Sequence, residues 1–551
     1  MLTILIDWIY ILFTCFSSGF FFLWTAEKRL RYSVKRMDSV LMAGLVIVTV
    51  YAQSFSLFYR VNVEANIVLS GFCILICVVL RRQMKQFLKE RLANLPLSAR
   101  ILIPLLFVLW SFFASRGYMV PDMDVYHGQS IRWIEEYGVV KGLGNLHCRF
   151  GYNSSIFAVS ALYSMKFLLG RSLHAVNGLI AFILSLTVLE LGKAFRRRRM
   201  LLSDYARVGA IYYLTTIYDE VIAPSSDYAV MCVIFFIIIK WLTQLEKENG
   251  EERDNITPYA LLCVMGVWTI TLKLTAGLIL LLTIKPACML IKRKKWKETG
   301  IYLALGLVTA FPWLARTVII TGWLFYPFAD LDLFSVDWKI VDESIIRSDS
   351  YLIRIWAKAA NTLEDTSLRS WFPHWFRNAL STMERLLVVT DFTACAATAV
   401  SAIIVFVKKR WKQLDLLLVM GTLSSCYLFW QFSAPMVRYG YAYVLLTAAI
   451  TCGYILEKLK LAKVGYAVFA LYGVYKLYTC CDYAMLCWLR PCYIWSETYE
   501  SYEVESYEID GVTFYYSPSE GPTGYDAFPS APTKAELELR GKELKDGFRP
   551  K

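Results

Sequence analysis

"LMAGLVIVTVYAQSFSLFY", Leu41–Tyr59, decides the fold class. These 19 residues carry no charge, and a helix of about 20 apolar residues crosses roughly 30 Å of hydrocarbon. The apolar positions do not alternate, so the stretch is not one of the roughly ten-residue, period-two strands of a membrane β-barrel. Comparable blocks recur along the 551 residues, of which 57% are hydrophobic and 19% charged; soluble domains carry about 25% charged residues. The chain reads as an all-α integral membrane protein of about 13–14 spans. Its first block, "MLTILIDWIYILFTCFSSGFFFLWTAEKRLR", has no basic residue ahead of the apolar run and no small-residue cleavage site. It is expected to be a retained span and not a signal peptide.

A net charge of +13 would suggest nucleic acid in a soluble chain. Here the cations cluster beside the apolar blocks, at Lys28–Arg36, Arg81–Arg100, Arg196–Arg199, Lys292–Lys297, Lys408–Lys412 and Lys458–Lys463, as the positive-inside rule produces. The expected partner is therefore the lipid bilayer, with no nucleic acid. The 14 cysteines lie mostly within apolar runs and show no zinc-ligand spacing.

With every basic cluster on the cytoplasmic side, spans are expected near 3–24, 39–58, 64–80, 101–116, 173–194, 206–219, 226–243, 258–272, 274–291, 299–320, 385–407, 413–430, 440–456 and 463–480. Residues 1–116 then form N-terminal transmembrane helices, and 117–172 an external acidic segment with interfacial helices. Residues 173–480 form a bundle with an external loop at 321–384, and 481–551 an external tail. Lys294 and Glu364 are expected on opposite sides. "FAVSALYSMKFLLG", Phe157–Gly170, is read as a helix on the membrane surface or dipping partway in, because a full span there would place four arginines outside. In the tail, "SYEVESYEIDGVTFYYSP" predicts a hairpin about Asp510-Gly511. With too small an apolar set for its own core, the tail must dock on other external segments.

Polar chemistry concentrates in "VPDMDVYHGQSIRWIEEYGVVKGLGNLHCRFGYNSS", Val120–Ser155, with two each of Asp, Glu, His, Arg and Asn. Pro121 and Asp122 start a helix and Gly138 ends it. Met123, Tyr126, Ser130, Trp133, Ile134 and Tyr137 share one face, read as lying among lipid headgroups. Glu135 and Glu136 are read as solvated. Asp122 and Asp124 could simply cap the helix. Two carboxylates two apart, with His127 one turn on, are also the pattern for a general base or for a divalent cation such as Mg or Mn. Arg132, Asn145, His147, Arg149 and Asn153 add donors suited to a lipid-borne phosphate. A second external loop offers Asp219, Glu220 and Asp227. Lys273 and Arg316 are ionisable groups within apolar segments, which are costly there unless functional or paired. Arg438 lies among aromatics just outside a span, where with Arg316 it could bind a substrate's phosphate or pyrophosphate at one external cavity; Arg316 could instead pair with an Asp or Glu.

The stretches "DVYHGQSIRWIEEYGVVKGLGNLHCRFGYNSS", "APSSDYAVM", "ARTVIITGWLFYPF", "RYGYAYVLL" and "LELRGKELKDGFR" resemble a group of multi-pass bacterial membrane proteins related to the C-type (GT-C) glycosyltransferases. The resemblance implies an essential acidic residue in the first large external loop, matched by Asp122 and Asp124, and a second in a later loop, matched by Asp219, Glu220 or Asp227. It also implies a sugar donor on a polyprenyl phosphate, a glycan or lipid acceptor, and a site facing outward from the bacterial inner membrane. Three or four spans precede the acidic loop here, where the usual pattern has one. The chain carries no glycine-rich nucleotide loop, which favours a lipid-linked donor. The competing expectation is a flippase or transporter of a lipid-linked glycan, with Lys273 and Arg316 along its path.

Overall fold

The computed structural model describes residues 1–30, 32, 36–248, 255–328, 330–341, 343–359, 367–488 and 492–551. Glu364 and part of the Lys28–Arg36 cluster lie outside the described residues. The helices in order are α1 Leu2–Leu30, α2 Met37–Ser56, α3 Val63–Val79, α4 Arg81–Ala93, α5 Leu97–Ala114, α6 Gly128–Tyr137, α7 Ser155–Leu162 and α8 Lys166–Leu169. They continue as α9 Val176–Val188, α10 Gly192–Arg197, α11 Leu202–Leu214, α12 Ser226–Glu248, α13 Thr257–Leu272, α14 Ile284–Lys292 and α15 Trp296–Thr321. The remainder are α16 Glu343–Ala357, α17 Leu368–Asn378, α18 Thr382–Val407, α19 Leu414–Ser433, α20 Tyr441–Lys458 and α21 Ala462–Trp488.

Each expected span coincides with a helix over most of its length, and the chain is an all-α, multi-pass membrane protein with little sheet. Among the described residues, nine helices have the length and apolarity to cross a membrane, or ten if the pair α3 and α4, bent by 81°, counts as one span. This is fewer than the expected 13–14. One reason is length: α11 has 13 residues and α13 has 16, about 20 and 24 Å at 1.5 Å per residue. After α13 the chain breaks at Lys273 and resumes as a 3₁₀ stretch, Leu274–Thr283, running into α14.

Two features fix the bundle. Helices α1 and α2 cross so closely that a Cβ on Gly44 would fall 1.7 Å from the Cys15 carbonyl oxygen, and one on Gly19 2.0 Å from that of Val40, the small-residue contact typical of membrane helices. Helix α12 is buried continuously from Asp227 to Ile239. A helix apolar on every side belongs at the centre, and α12 carries Asp227 at its N-terminal end. Helix α7 is eight residues long and buried throughout, too short to span. It packs within protein, the setting in which non-spanning backbone is tolerated at membrane depth.

The tail forms the predicted hairpin, β1 Glu505–Ile509 with β2 Val512–Tyr516. Its turn residues Asp510 and Gly511 have φ of 50° and 81°, as a type I′ turn requires. A short β3, Ser530–Ala531, pairs parallel to β2, and β4 Leu537–Leu539 pairs antiparallel with β5 Phe548–Pro550. The tail docks as expected: Phe548, Phe514, Leu537 and Leu539 share one apolar cluster with Trp133, Val140, Leu143 and Phe150. The Phe548 amide donates to the Lys141 carbonyl at 2.9 Å.

This docking corrects the reading of α6 as a headgroup-level helix. Trp133 is fully buried against Phe528 and Phe548, and Glu135 is 2% exposed. The tail occupies the side of the helix that amphipathicity alone assigns to water or lipid, so Glu135 is not solvated.

Candidate functional site

The acidic stretch is held in an unusual backbone. Met123–His127 form one π-helical turn leading directly into α6, a form that recurs at functional sites. Gly138 closes α6 with φ 79°, where a Cβ would sit 2.6 Å from the Ser56 and Tyr59 carbonyls. Asp122 occupies the N-cap position, yet its side chain makes no capping hydrogen bond. It is committed elsewhere.

Arg438 donates from Nη2 to Asp122 Oδ2 at 2.6 Å. Its Nε lies 3.4 Å from Asp227 Oδ2, and Lys273 pairs with the other oxygen of Asp227. Lys273 Nζ also sits 3.7 Å from the centre of the Tyr439 ring. On the other flank Arg149 Nη1 is 3.9 Å from Asp122 Oδ1, while its Nε donates to Asp349 at 3.1 Å and Tyr152 donates to the same carboxylate at 2.7 Å. Three cations and three carboxylates, drawn from widely separated segments, thus form one chain. The side chains of Asp122, Arg438 and Lys273 are 21–28% exposed and that of Asp227 is 7% exposed, so the site has an open side and a buried floor.

The two aspartates of the D-x-D pair diverge. Burial opposes ionisation of Asp122, but His127, Arg438 and Arg149 outweigh it and hold the carboxyl below its ordinary value. Burial pushes Asp124 up to about 6. Asp124 Oδ2 accepts from Tyr502 at 3.0 Å, and its backbone carbonyl accepts from Thr523 and Gly524. Among the described residues no three His, Cys, Asp or Glu side chains converge as metal ligands. Asp122 is thus engaged by Arg438 and Asp124 by the tail.

Burial lowers His127 to about 4, against Asp122 and Asp227, which favour its charged form. The ring packs on Tyr126 and Phe157, and its Nδ1 has no hydrogen-bond partner. The imidazole therefore borders the cluster, with no hydrogen bond from its Nδ1.

Of the residues predicted for substrate binding, Arg149, Lys273 and Arg438 join Asp122 and Asp227. Others serve the scaffold. Arg132 donates to the Tyr525 and Asp526 carbonyls and stacks on Phe528. Asn145 donates to the Gly142 and Trp338 carbonyls. His147 caps a 3₁₀ turn through Nδ1, and burial lowers it to about 4. Asn153 donates to Trp313 and Thr317 and accepts from Arg316, which also donates to Ser56. Arg316 is thus satisfied by neutral partners and not by the carboxylate expected. Asp219 offers its backbone carbonyl to Tyr118, Glu220 accepts from the Tyr228 hydroxyl within electrostatic reach of Arg438, and Asp227 is the carboxylate of this loop paired with Arg438. Its position at the first turn of the central helix is what brings it there.

The family's sequence model matches residues 1–445. The chain belongs to the DUF8201 family, described as a domain of unknown function. Comparison with curated proteins and with solved structures finds no match. The DUF8201 match contains every residue of the charged cluster, from Asp122 to Arg438. Tyr502, Tyr525 and Phe548, which cover the acidic helix, lie beyond it.

Sequence reasoning missed Asp349 and Tyr152. Asp349 lies on α16, whose alternating acidic, basic and apolar residues read as an ordinary amphipathic surface, so only the fold distinguishes it. Glu135 was also misjudged: it accepts from Ser172 at 3.1 Å and from Tyr525, and burial raises it. A tail with Tyr at 499, 502, 507, 515, 516 and 525 was the available signal, since so many phenols need buried partners.

Proposed function

We propose that this DUF8201 protein is a glycosyltransferase of GT-C layout. It would transfer a sugar from a polyprenyl-phosphate-linked donor to a glycan or lipid acceptor on the non-cytoplasmic face. One observation carries the reading: carboxylates from two separate segments, Asp122 and Asp227, share Arg438, beside Lys273 and at the end of the bundle away from its basic clusters. Arginine and lysine at a membrane surface suit a phosphate leaving group. In the resting arrangement Asp122 is a weak base, because Arg438 holds it ionised. A donor phosphate that engages Arg438 and Lys273 withdraws that cation. The burial around Asp122 then raises its proton affinity, towards the range a general base needs. The acceptor hydroxyl loses its proton to Asp122 as its oxygen bonds the anomeric carbon, and the sugar–phosphate C–O bond breaks with its electron pair going to the phosphate. No step is routed through a metal.

The test is release of polyprenyl phosphate from a panel of polyprenyl-phosphate sugars by the full chain in vesicles. Arg438→Gln should weaken donor binding and Asp122→Asn should slow turnover. Turnover that survives both substitutions refutes the assignment.

A second reading, transport of a lipid-linked glycan, draws on the helix break at Lys273, since transporters bind substrates at discontinuous helices. Movement of the intact donor across the vesicle, with no polyprenyl phosphate released, would select it.

A further inference from the structure

A second built cavity lies at the other end of α2. Helix α2 runs from Met37 to Ser56, and Ser56 touches the acidic helix through its carbonyl, to which Val139 donates. The start of α2 is therefore some 30 Å from that face, at 1.5 Å per residue. There a cavity of about 350 Å³ opens between α1, α2, α12, α13 and α15, within the size range of small-ligand sites.

Its lining divides by chemistry. The lining carries Arg36, Lys240, Lys247 and Gln244 and, among the described residues, no Asp or Glu. Gln244 is 7% exposed, and its Nε2 is a buried donor with no hydrogen-bond partner. Asp38 is shared between Arg36 at 2.6 Å and Lys240 at 2.7 Å. The ion pairs continue through Glu190 and Asp204 to Lys193, Arg197 and Arg207. Among the described residues that network joins five cations on three carboxylates, a net positive charge beside the cavity. Beyond it the lining is apolar, with Val46, Val50, Phe236 and Met265. From Arg36 to Val50 it follows α2 for about 21 Å, longer than one leaflet's hydrocarbon of about 15 Å. Val308, on the lining and 60% exposed on a membrane-spanning helix, marks a side open to lipid.

We propose that this cavity binds an amphiphile with an anionic phosphoryl headgroup and an apolar tail, entering sideways from the leaflet beside the basic clusters. The cations and the Gln244 amide hold the phosphoryl oxygens, and the tail lies along α2. The site is separate from the Asp122 cluster and does not depend on the chemistry assigned there. A free phosphate shares the headgroup chemistry but leaves the apolar length unfilled.

The experiment uses the full chain in nanodiscs of phosphatidylcholine containing a minor fraction of phosphatidylglycerol, with retained lipid read by native mass spectrometry after mild release. Retained lipid should be enriched at least about fivefold in phosphatidylglycerol over the bulk ratio, the preference that one well-placed cation confers. Lys240→Gln should cut that enrichment by about fivefold. Gln244→Leu, which leaves every charge in place, should also reduce it. Ala43→Trp should expel the lipid by filling the cavity, and Asp122→Asn should change nothing. Inorganic phosphate should not displace the bound lipid. Retention at the bulk ratio, retention unaltered in folded Ala43→Trp protein, or displacement by inorganic phosphate each overturns the proposal.

Discussion

Replacing Asp122 by Asn separates structure from chemistry at this site. Asn matches Asp as an N-cap, and Asp122 makes no capping bond to lose. The structural cost comes from its pair with Arg438. Removing one partner of a fully buried ion pair costs about 3–5 kcal/mol, and an exposed pair is worth about 0–1. Here the two side chains are 28% and 25% exposed, and Arg438 keeps Asp227 at 3.4 Å. An intermediate loss of about 1–2 kcal/mol follows, small enough for the protein to insert and accumulate. Loss of a proton-transfer group costs about 10²–10⁴-fold in rate, or about 3–5 kcal/mol in barrier. The expected outcome is a modest fall in melting temperature with polyprenyl-phosphate release down at least a hundredfold. Glu136→Gln, at a half-exposed pair with Lys166, is the control and should keep near wild-type rate. Asp122→Asn protein that is folded and turns over at the wild-type rate would refute the reasoning.

Three further outcomes are expected. Asp124 is raised by burial to about 6 from an unfolded value near 3.8, so the docked tail binds the extra proton and its protection from protease should fall as pH rises from about 4 to 6. The buried His127 and His147 titrate with the opposite sign over part of that window, so the quantity to measure is the difference between wild type and Asp124→Asn. Phe548→Ala should cost about 3–5 kcal/mol and release the tail to protease while the bundle stays inserted. Reporter fusions after Lys294 and after the tail should report opposite sides of the membrane; the same side for both would dismantle the topology on which the site reading depends.

The longer spans were legible because hydrocarbon demands long uncharged helices, and Leu41–Tyr59 meets that demand unaided, whereas short helices such as α11 and α13 were over-read as spans. The hairpin was legible because Asp510-Gly511 is a local signal. Asp122, Asp227 and Arg438 could be named as candidates, but not the meeting of both carboxylates on Arg438, which needs contacts 316 and 211 residues apart in sequence. Asp124 and Glu135 were misplaced for the same reason: helical periodicity reports two faces but cannot say that a tail nearly 400 residues later covers the second. Arg316 shows the limit of charge rules in membranes, since Asn153 and Ser56 satisfy it without a carboxylate.

The seam between β5 and Lys141 sets an order of events. The acidic helix sits early in the chain, yet the strand that seals its outer side begins at Phe548, so this face stays open until residues about 400 positions later have been made. Until then Trp133 and Glu135 wait uncovered, and closure bridges about 400 residues, a slow, long-range step. A chain cut between α21 and β1 would keep its apolar helices and still display that open face, giving a quality-control protease a clear mark by which to tell it from a closed molecule.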